Sequence, residues 1–517
     1  VRCGVVCSNA IPHWKYQDMS QSSLTTRRKA LQFLAGVPML PLGATAATSF
    51  LTACGGGDDG TTASFVSASF TSMAAPTLAN ATAMATTTVG STLNIKLSDE
   101  SVRSYQLAYQ PFFVTGDMVS DGKGGTILSG GYYDINNKPI IDATVPGKER
   151  HYFSDAPDGT SLLTVANPTV TGIKGKAVFA VVQFEYTTWA QDGKTGMYGK
   201  LPSPIAVLTL DQDQSTGKLS LVKYHNVDTS KVHGLWITCG ASLSPWGTHL
   251  SSEEYEPDAF ATGNAQLQAF SQNLYGDQTK ANPYHYGHMP EVTVNPDGTG
   301  SIKKHYCMGR ISHELVQVMP DNRTALMGDD ATNSAYFVFV ADKEKDLSSG
   351  TLYVAKVGSG FSIDPSANSS AALTWIKMGS ATSAEIEQLA NTLKPTDIMT
   401  VVSKDPADAS YTKIVANGKT EWIKLNPGME KAAAFLETHR SAAYLGASAG
   451  FSKMEGTTVN IKDKIAYSAL QNCQDSMVVG NASNVPGNGI SIPKQLKAGV
   501  VMALNLKGGQ KDTSGAA

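Results

Sequence analysis

The chain has 517 residues, 41% of them hydrophobic and 16% charged, with a formal net charge of −3. The apolar share excludes a disordered polymer, and the near-neutral balance gives no basis for a nucleic-acid partner. Composition stops at a large soluble β-rich protein, long enough for several average domains or one large repeat architecture.

The first element is an address. Thr25-Thr26-Arg27-Arg28-Lys29 precedes a mostly apolar run to Ala53. A twin arginine ahead of such a run resembles a Tat export signal. Gly36, Pro38, Pro41 and Gly43 make it a poor membrane-spanning helix. It ends Leu51-Thr52-Ala53-Cys54-Gly55, similar to a bacterial lipobox in which Cys54 carries the lipid. An ordinary signal peptide with a chance cysteine is the alternative. Met19 is a better start than Val1. Residues 1–54 therefore read as an upstream extension plus signal, and the Ala/Thr/Ser-rich residues 55–95 as a flexible tether. Residues 96–517 read as one β domain. The expected location is periplasmic or cell-surface, with membrane contact only through Cys54, and the expected state is a monomer.

From residue 95 short apolar runs alternate with turns. Lys176–Glu185, Ile205–Leu210 and Ala335–Val340 read as strands; Asn295-Pro-Asp-Gly298 and Pro320-Asp-Asn322 read as turns. Helical periodicity is scarce, with 384–392 and 429–439 the clearest cases. Several strands run into acidic or amide tips: Glu185, Glu253-Glu254, Asp329-Asp330 and Asn472. Strand ends of that kind converge if the strands are arranged radially, as in a β-propeller.

Cys3 and Cys7 precede the expected start and Cys54 is the expected lipid site, leaving Cys239, Cys307 and Cys473 in the body. Three is odd, so a complete disulfide framework is excluded. A Cys307–Cys473 bridge is allowed but not required. Cys239 opens the most informative block, Cys-Gly-Ala-Ser-Leu-Ser-Pro-Trp-Gly-Thr-His-Leu-Ser-Ser-Glu-Glu254. A thiolate near converging carboxylates suits a cluster of iron with a hard, oxygen-loving cation.

Four blocks together resemble the PhoX family of bacterial alkaline phosphatases. They are Phe184-Glu-Tyr-Thr187, Cys239 to Glu254, Gly309-Arg-Ile-Ser-His-Glu314 with Met327-Gly-Asp-Asp330, and Lys453-Met-Glu-Gly456. The resemblance implies a mainly-β, six-bladed β-propeller-like fold with helical insertions, and hydrolysis of phosphate monoesters by Fe(III) and Ca(2+). It implies Cys239 as the thiolate shared by two irons and Glu314 and Glu455 as iron carboxylates. Glu185, Glu254, Asp329 and Asp330 would complete the cluster, mainly on calcium. Lys453 and Arg310 would place positive charge around the phosphoryl group.

Two departures stand out. Lys453 replaces the family's arginine, so a point charge replaces a flat bidentate fork. The chain also ends where the family continues into further strands, so the ring is expected to be incomplete. These departures favour a rival class, a lipid-anchored propeller that binds calcium or a partner without catalysis; a related phosphodiesterase is a third possibility. Other residues have plainer expectations. Alternation along a strand sets Glu253 opposite Glu254 and His313 opposite Glu314, so both read as structural or solvated. Trp246 reads as packing, and His285 and His288 as a surface strand edge. No phosphate loop, His-Glu-x-x-His pair or serine elbow is present.

Overall fold

The computed structural model describes residues 63–75, 77, 79, 88–358, 370–506, 508–509 and 511–516. The twin-arginine segment, Met19 and the first three cysteines lie outside the described residues. No helix among the described residues is long and apolar enough to cross a membrane.

The chain divides into two units, residues 1–109 and 110–517. In the first, β1 (Phe65–Phe70), β2 (Thr88–Leu97) and β3 (Val102–Ala108) form an antiparallel sheet in that order. Part of the segment expected as a tether is thus paired strand. Its Thr, Val and Ile residues are strand formers, and Asp99 closes the β2–β3 turn by accepting from Ser101 N at 3.0 Å.

In the second unit, β4 (Met118–Ser120) pairs with β5 (Thr126–Leu128), and β6 (Ile141–Asp142) with β7 (Arg150–His151). Next, β8 (Pro157–Leu163), β9 (Lys176–Phe184), β10 (Ile205–Gln212) and β11 (Leu219–Asn226) pair in sequence. Alternate β9 residues enter two different cores, Phe179 and Val181 on one face, Val178 and Phe184 on the other. Burial on both faces explains why this strand is a continuous apolar run.

A second sheet pairs β12 (Ser242–Leu243), β13 (His249–Leu250), β14 (Met289–Val294) and β15 (Gly300–His305) in sequence. Helix α1 (Ala265–Tyr275) lies between β13 and β14, capped by Asn264 accepting from Gln266 N and Leu267 N and ended by Gly276. The third sheet joins β16 (His313–Val318), β17 (Thr324–Asp329), β19 (Phe337–Lys343), β20 (Asp346–Val357) and β21 (Leu373–Thr382). Short β18 (Thr332–Ser334) leaves it to pair with β25 (Phe451–Ser452).

The helical insertion follows β21: α2 (Ser383–Thr392), α3 (Pro395–Ile398), β22 (Met399–Val402), β23 (Thr412–Ala416), β24 (Lys419–Leu425), α4 (Glu430–Leu436) and α5 (Thr438–Tyr444). The single helix expected over 429–439 is two short helices broken at Glu437, whose carboxylate is drawn to Tyr284 Oη at 2.9 Å and Arg440 Nη1 at 2.7 Å. Last come β26 (Met454–Asn460), β27 (Ile465–Leu470) and β28 (Val500–Asn505), a three-stranded sheet.

Four edge strands matter most. β12 packs against β8 and β16, and β26 against β16 and β17. Four sheets therefore turn their first strands toward one another. The fold is mainly β, and the described residues bring four sheets together in this way where six blades were expected.

Candidate metal centre

Each of those first strands delivers an acid or the thiol to one place. Asp158 lies on β8, Cys239 just before β12, Glu314 on β16 and Glu455 on β26. Glu185 and Asp330 directly follow β9 and β17, and Glu254 comes from the irregular segment after β13. Ligand-type atoms of Asp158, Glu185 and Cys239 lie within 4.8 Å of one another, as do those of Cys239, Glu254 and Glu314. Cys239 belongs to both groups. Its Sγ is 3.2 Å from Glu314 Oε1 and 3.7 Å from Asp158 Oδ2.

The electrostatics are severe. Carboxyls meet in pairs close enough to share a proton: Asp158 with Glu185, Glu254 with Asp330, and Glu314 with Glu455. Burial, then the charges of Glu314 and Asp330, pushes Glu254 well above the ordinary carboxylate value. Burial and then Asp330 push Glu455 up to about 7, and burial raises Asp158. Among the described residues, apart from a proton shared between carboxyls, no N–H or hydroxyl donor reaches either oxygen of Glu254, Oδ1 of Asp330 or Oε1 of Glu455. Buried carboxylates without donors are costly unless a cation meets them. Carboxylate oxygens around one shared thiol suit cations of both hard and intermediate character.

Lys453 reaches the rim. Its Nζ donates to Asp330 Oδ2 and, at 2.8 Å, to Tyr255 Oη. Burial works against its charge, but Asp330 prevails and holds it above the ordinary lysine value. Tyr255 Oη in turn donates to Asp330 Oδ2 at 2.6 Å.

The backbone is forced into place here. Ile237, Tyr255 and Lys453 adopt φ of 35°, 48° and 54°, left-handed values that non-glycine residues rarely hold outside over-determined sites. Two glycines permit close approach. A Cβ on Gly159 would lie 2.8 Å from Cys239 O, and one on Gly328 would lie 2.6 Å from Glu455 O. Below the thiol, Gln183 Nε2 donates to Cys239 O, and His249 spans Gln183 Oε1 at 3.0 Å and Ser161 Oγ at 2.8 Å.

Two expected site residues go elsewhere. Asp329 is turned away from Asp330 by strand alternation; its two oxygens each lie 3.0 Å from His439 Nε2. Arg310 does not face the centre. Its guanidinium is spent on the carbonyls of Pro257, Pro283, Tyr286 and Leu436, so it ties loops together and offers nothing to a phosphate. Glu253 is buried rather than solvated, paired with Lys304 Nζ at 2.8 Å and receiving Trp236 N, Gly287 N and His288 N.

His285 and His288 are not at a surface strand edge. His285 stacks on His233 at 3.8 Å, and His288 donates to Tyr284 O at 3.0 Å. Cys307 and Cys473 are both free and buried, so no bridge joins them. His313 meets Gly309 O at 3.1 Å, and Trp246 donates to Glu291 at 2.9 Å while packing on the main core.

His439 sits between Asp329 and Glu256, with Nδ1 2.9 Å from Glu256 Oε1. Burial opposes its charge, but Asp329 and then Glu256 raise it to about 10 from 6.5. A raised histidine stabilises the fold fully below 6.5 and loses that contribution as pH climbs toward about 10. His439→Gln is expected to cost about 3–5 kcal/mol at neutral pH and to flatten the decline between pH 7 and 10, read by urea unfolding at both ends. An equal loss at both pH values would contradict this.

Sequence reasoning missed Asp158, which sits in Ala156-Pro-Asp-Gly159 and reads as an ordinary turn. It also missed Tyr255 and the Glu256–His439 pair. Glu256 and His439 are 183 residues apart, so no local pattern marks them.

Fold and site together define a mainly-β protein with a buried carboxylate–thiol centre shaped for cations. The family described as alkaline phosphatase PhoX matches residues 214–490, more than half of the chain. The chain belongs to the PhoX family. It is similar to the solved structure of Pseudomonas fluorescens PhoX in complex with vanadate, a transition state analogue, at 17% identity and a TM-score of 0.43. That similarity covers 72% of this chain and 66% of the Pseudomonas protein, so the chain spans just under two thirds of that protein's length. No curated protein matches the chain.

Proposed function

We propose that this protein hydrolyses phosphate monoesters outside the cytoplasm, as a monomer anchored through Cys54, using Fe(III) and Ca(2+) held at the carboxylate–thiol centre. One observation carries the proposal: six carboxyls and a thiol from four sheets converge, and both Glu254 oxygens meet no N–H or hydroxyl donor among the described residues. Cys239, Glu314 and Glu455 would hold the irons. Glu185, Glu254, Asp330 and Asp158 would serve calcium. When bound, such cations neutralise phosphoryl oxygens and so favour in-line displacement of the alcohol. A six-bladed ring around the centre, completed beyond the four sheets seen, is part of the same proposal.

The chain's own groups position the ester. Lys453 has three N–H donors; Asp330 and Tyr255 take two, and the third is left for a phosphoryl oxygen. Tyr255 fixes Asp330 through its hydroxyl, so the ammonium is aimed and not merely attracted. The same grip on Lys453 is the feature that favours a binding-only protein.

Expression behind a Tat signal, metal analysis and p-nitrophenyl phosphate turnover with calcium at alkaline pH test the proposal. Bound iron and calcium with turnover support it. A metal-loaded protein without turnover supports the binding-only class, and turnover of bis-p-nitrophenyl phosphate alone points to diesters.

A further inference from the structure

We propose that Tyr198, with Tyr186 beside it, selects monoesters whose leaving group is a flat aromatic ring. The inference rests on the phosphatase assignment and names its substrate class.

The floor of the centre is buried: Glu185, Cys239, Glu254, Glu314 and Asp330. Its partly open side carries Asp158, Lys453 and Glu455 together with three tyrosines, 186, 198 and 255. An ester bound by its phosphoryl group must direct its alcohol out through that side. Tyr186 directly follows Glu185. Tyr198 precedes Gly199, where an added Cβ would collide first with the Gln266 side chain of α1 and would lie 3.0 Å from Ile237 Cδ1, two residues before Cys239. The Tyr186 and Tyr198 rings meet edge-on at 4.8 Å and 65°.

Burial, and then the charges of Glu254, Glu185 and Cys239, raise the Tyr198 phenol above the ordinary tyrosine value. Yet the residue is 40% exposed. The side chain reaches solvent beside Tyr186, the neighbour of Glu185, and the proposal places its ring along the exit. A tyrosine ring offers an aromatic leaving group edge or face contact that an aliphatic polyol cannot use. A negatively charged leaving group finds no gain here, because the rim's lysine is committed to Asp330, Tyr255 and, through its third N–H, the phosphoryl group itself.

The test compares phenyl phosphate, a purine nucleoside 5′-monophosphate and glycerol phosphate on the full metal-loaded protein. Phenyl phosphate is expected to show a KM about fivefold below that of glycerol phosphate. Tyr198→Leu should collapse that ratio, and Tyr198→Phe should keep it. The nucleotide tells whether the ring must sit next to the ester oxygen or one sugar away. Equal KM values for phenyl and glycerol phosphate in the natural protein overturn the inference, as does a ratio unchanged by Tyr198→Leu. Calorimetric binding of phenylphosphonate against methylphosphonate gives a readout that needs no turnover. If no ester is hydrolysed but phenylphosphonate binds more tightly in a Tyr198-dependent way, the phosphatase assignment fails and the aromatic selectivity stands. If neither phosphonate binds, both fall.

Discussion

Removing bound metal is expected to cost about 4 kcal/mol of stability when the metal stands a thousandfold above its Kd, and Glu254→Gln should change sign across that step. In the loaded protein the substitution removes a ligand and destabilises. In the stripped protein it removes a carboxyl whose ionised form burial, Glu314 and Asp330 disfavour, and is expected to stabilise by about 1–3 kcal/mol at neutral pH. Glu254 is raised by burial, Glu314 and Asp330, and Glu455 is raised to about 7 from 4.5. A raised carboxyl contributes stability below its unfolded value and loses it as pH rises through the folded one. The stripped protein should therefore weaken between pH 4.5 and about 7, while the loaded protein should not. Denaturant unfolding with and without a chelator, at both pH values, reads all of this. A Glu254→Gln variant that destabilises both forms alike would mean the cluster is held by hydrogen bonds and not by cations.

Cys239→Ser carries the second large effect. The thiol is shared by both donor groups, 3.2 Å from Glu314 and within 4.8 Å of Glu185 and Glu254. Serine keeps the shape but is a poor ligand for iron at neutral pH. On the proposed iron–calcium reading, iron content and the violet iron–thiolate absorption are expected to vanish. Turnover should fall by more than the about 100-fold that loss of an outer partner typically costs. Far-ultraviolet dichroism should hold, because the apolar cores within and between the sheets do not depend on the centre. A serine variant that keeps its iron and its turnover would remove Cys239 from the centre.

Much of the site could be read from single residues because strand ends announce themselves. Phe184-Glu185, His313-Glu314 and Asp329-Asp330 each lie at a strand end, and Glu253-Glu254 follows β13 by a few residues. Alternation then says that one of two neighbours faces the middle. That rule separated Glu254 from Glu253 and Glu314 from His313. It also bears on Asp329 and Asp330, where the family resemblance drew both toward the cluster and the fold sends Asp329 to His439. Arg310 illustrates a different limit. An arginine next to a ligand-bearing strand looks available to phosphate, but nothing local reveals that four carbonyls from distant loops will consume its donors.

The Thr- and Val-rich stretch before residue 96 shows the same limit in reverse. Composition suggested a tether, and pairing between β1, β2 and β3 makes a sheet, because strand formation depends on a partner that low charge density does not disclose.

The sequence by itself determined the strand-rich class, the family, and the thiol with most of the acids that surround it. These follow from period-two patterning and from short blocks whose residues act within a few positions of one another. Only the tertiary structure decided which carboxyls meet, that Asp158 joins them, that Lys453 is gripped by Asp330, and that Tyr198 meets Tyr186. Convergence from strands hundreds of residues apart is set by how four sheets pack edge to edge, and no local pattern of residue types encodes that packing.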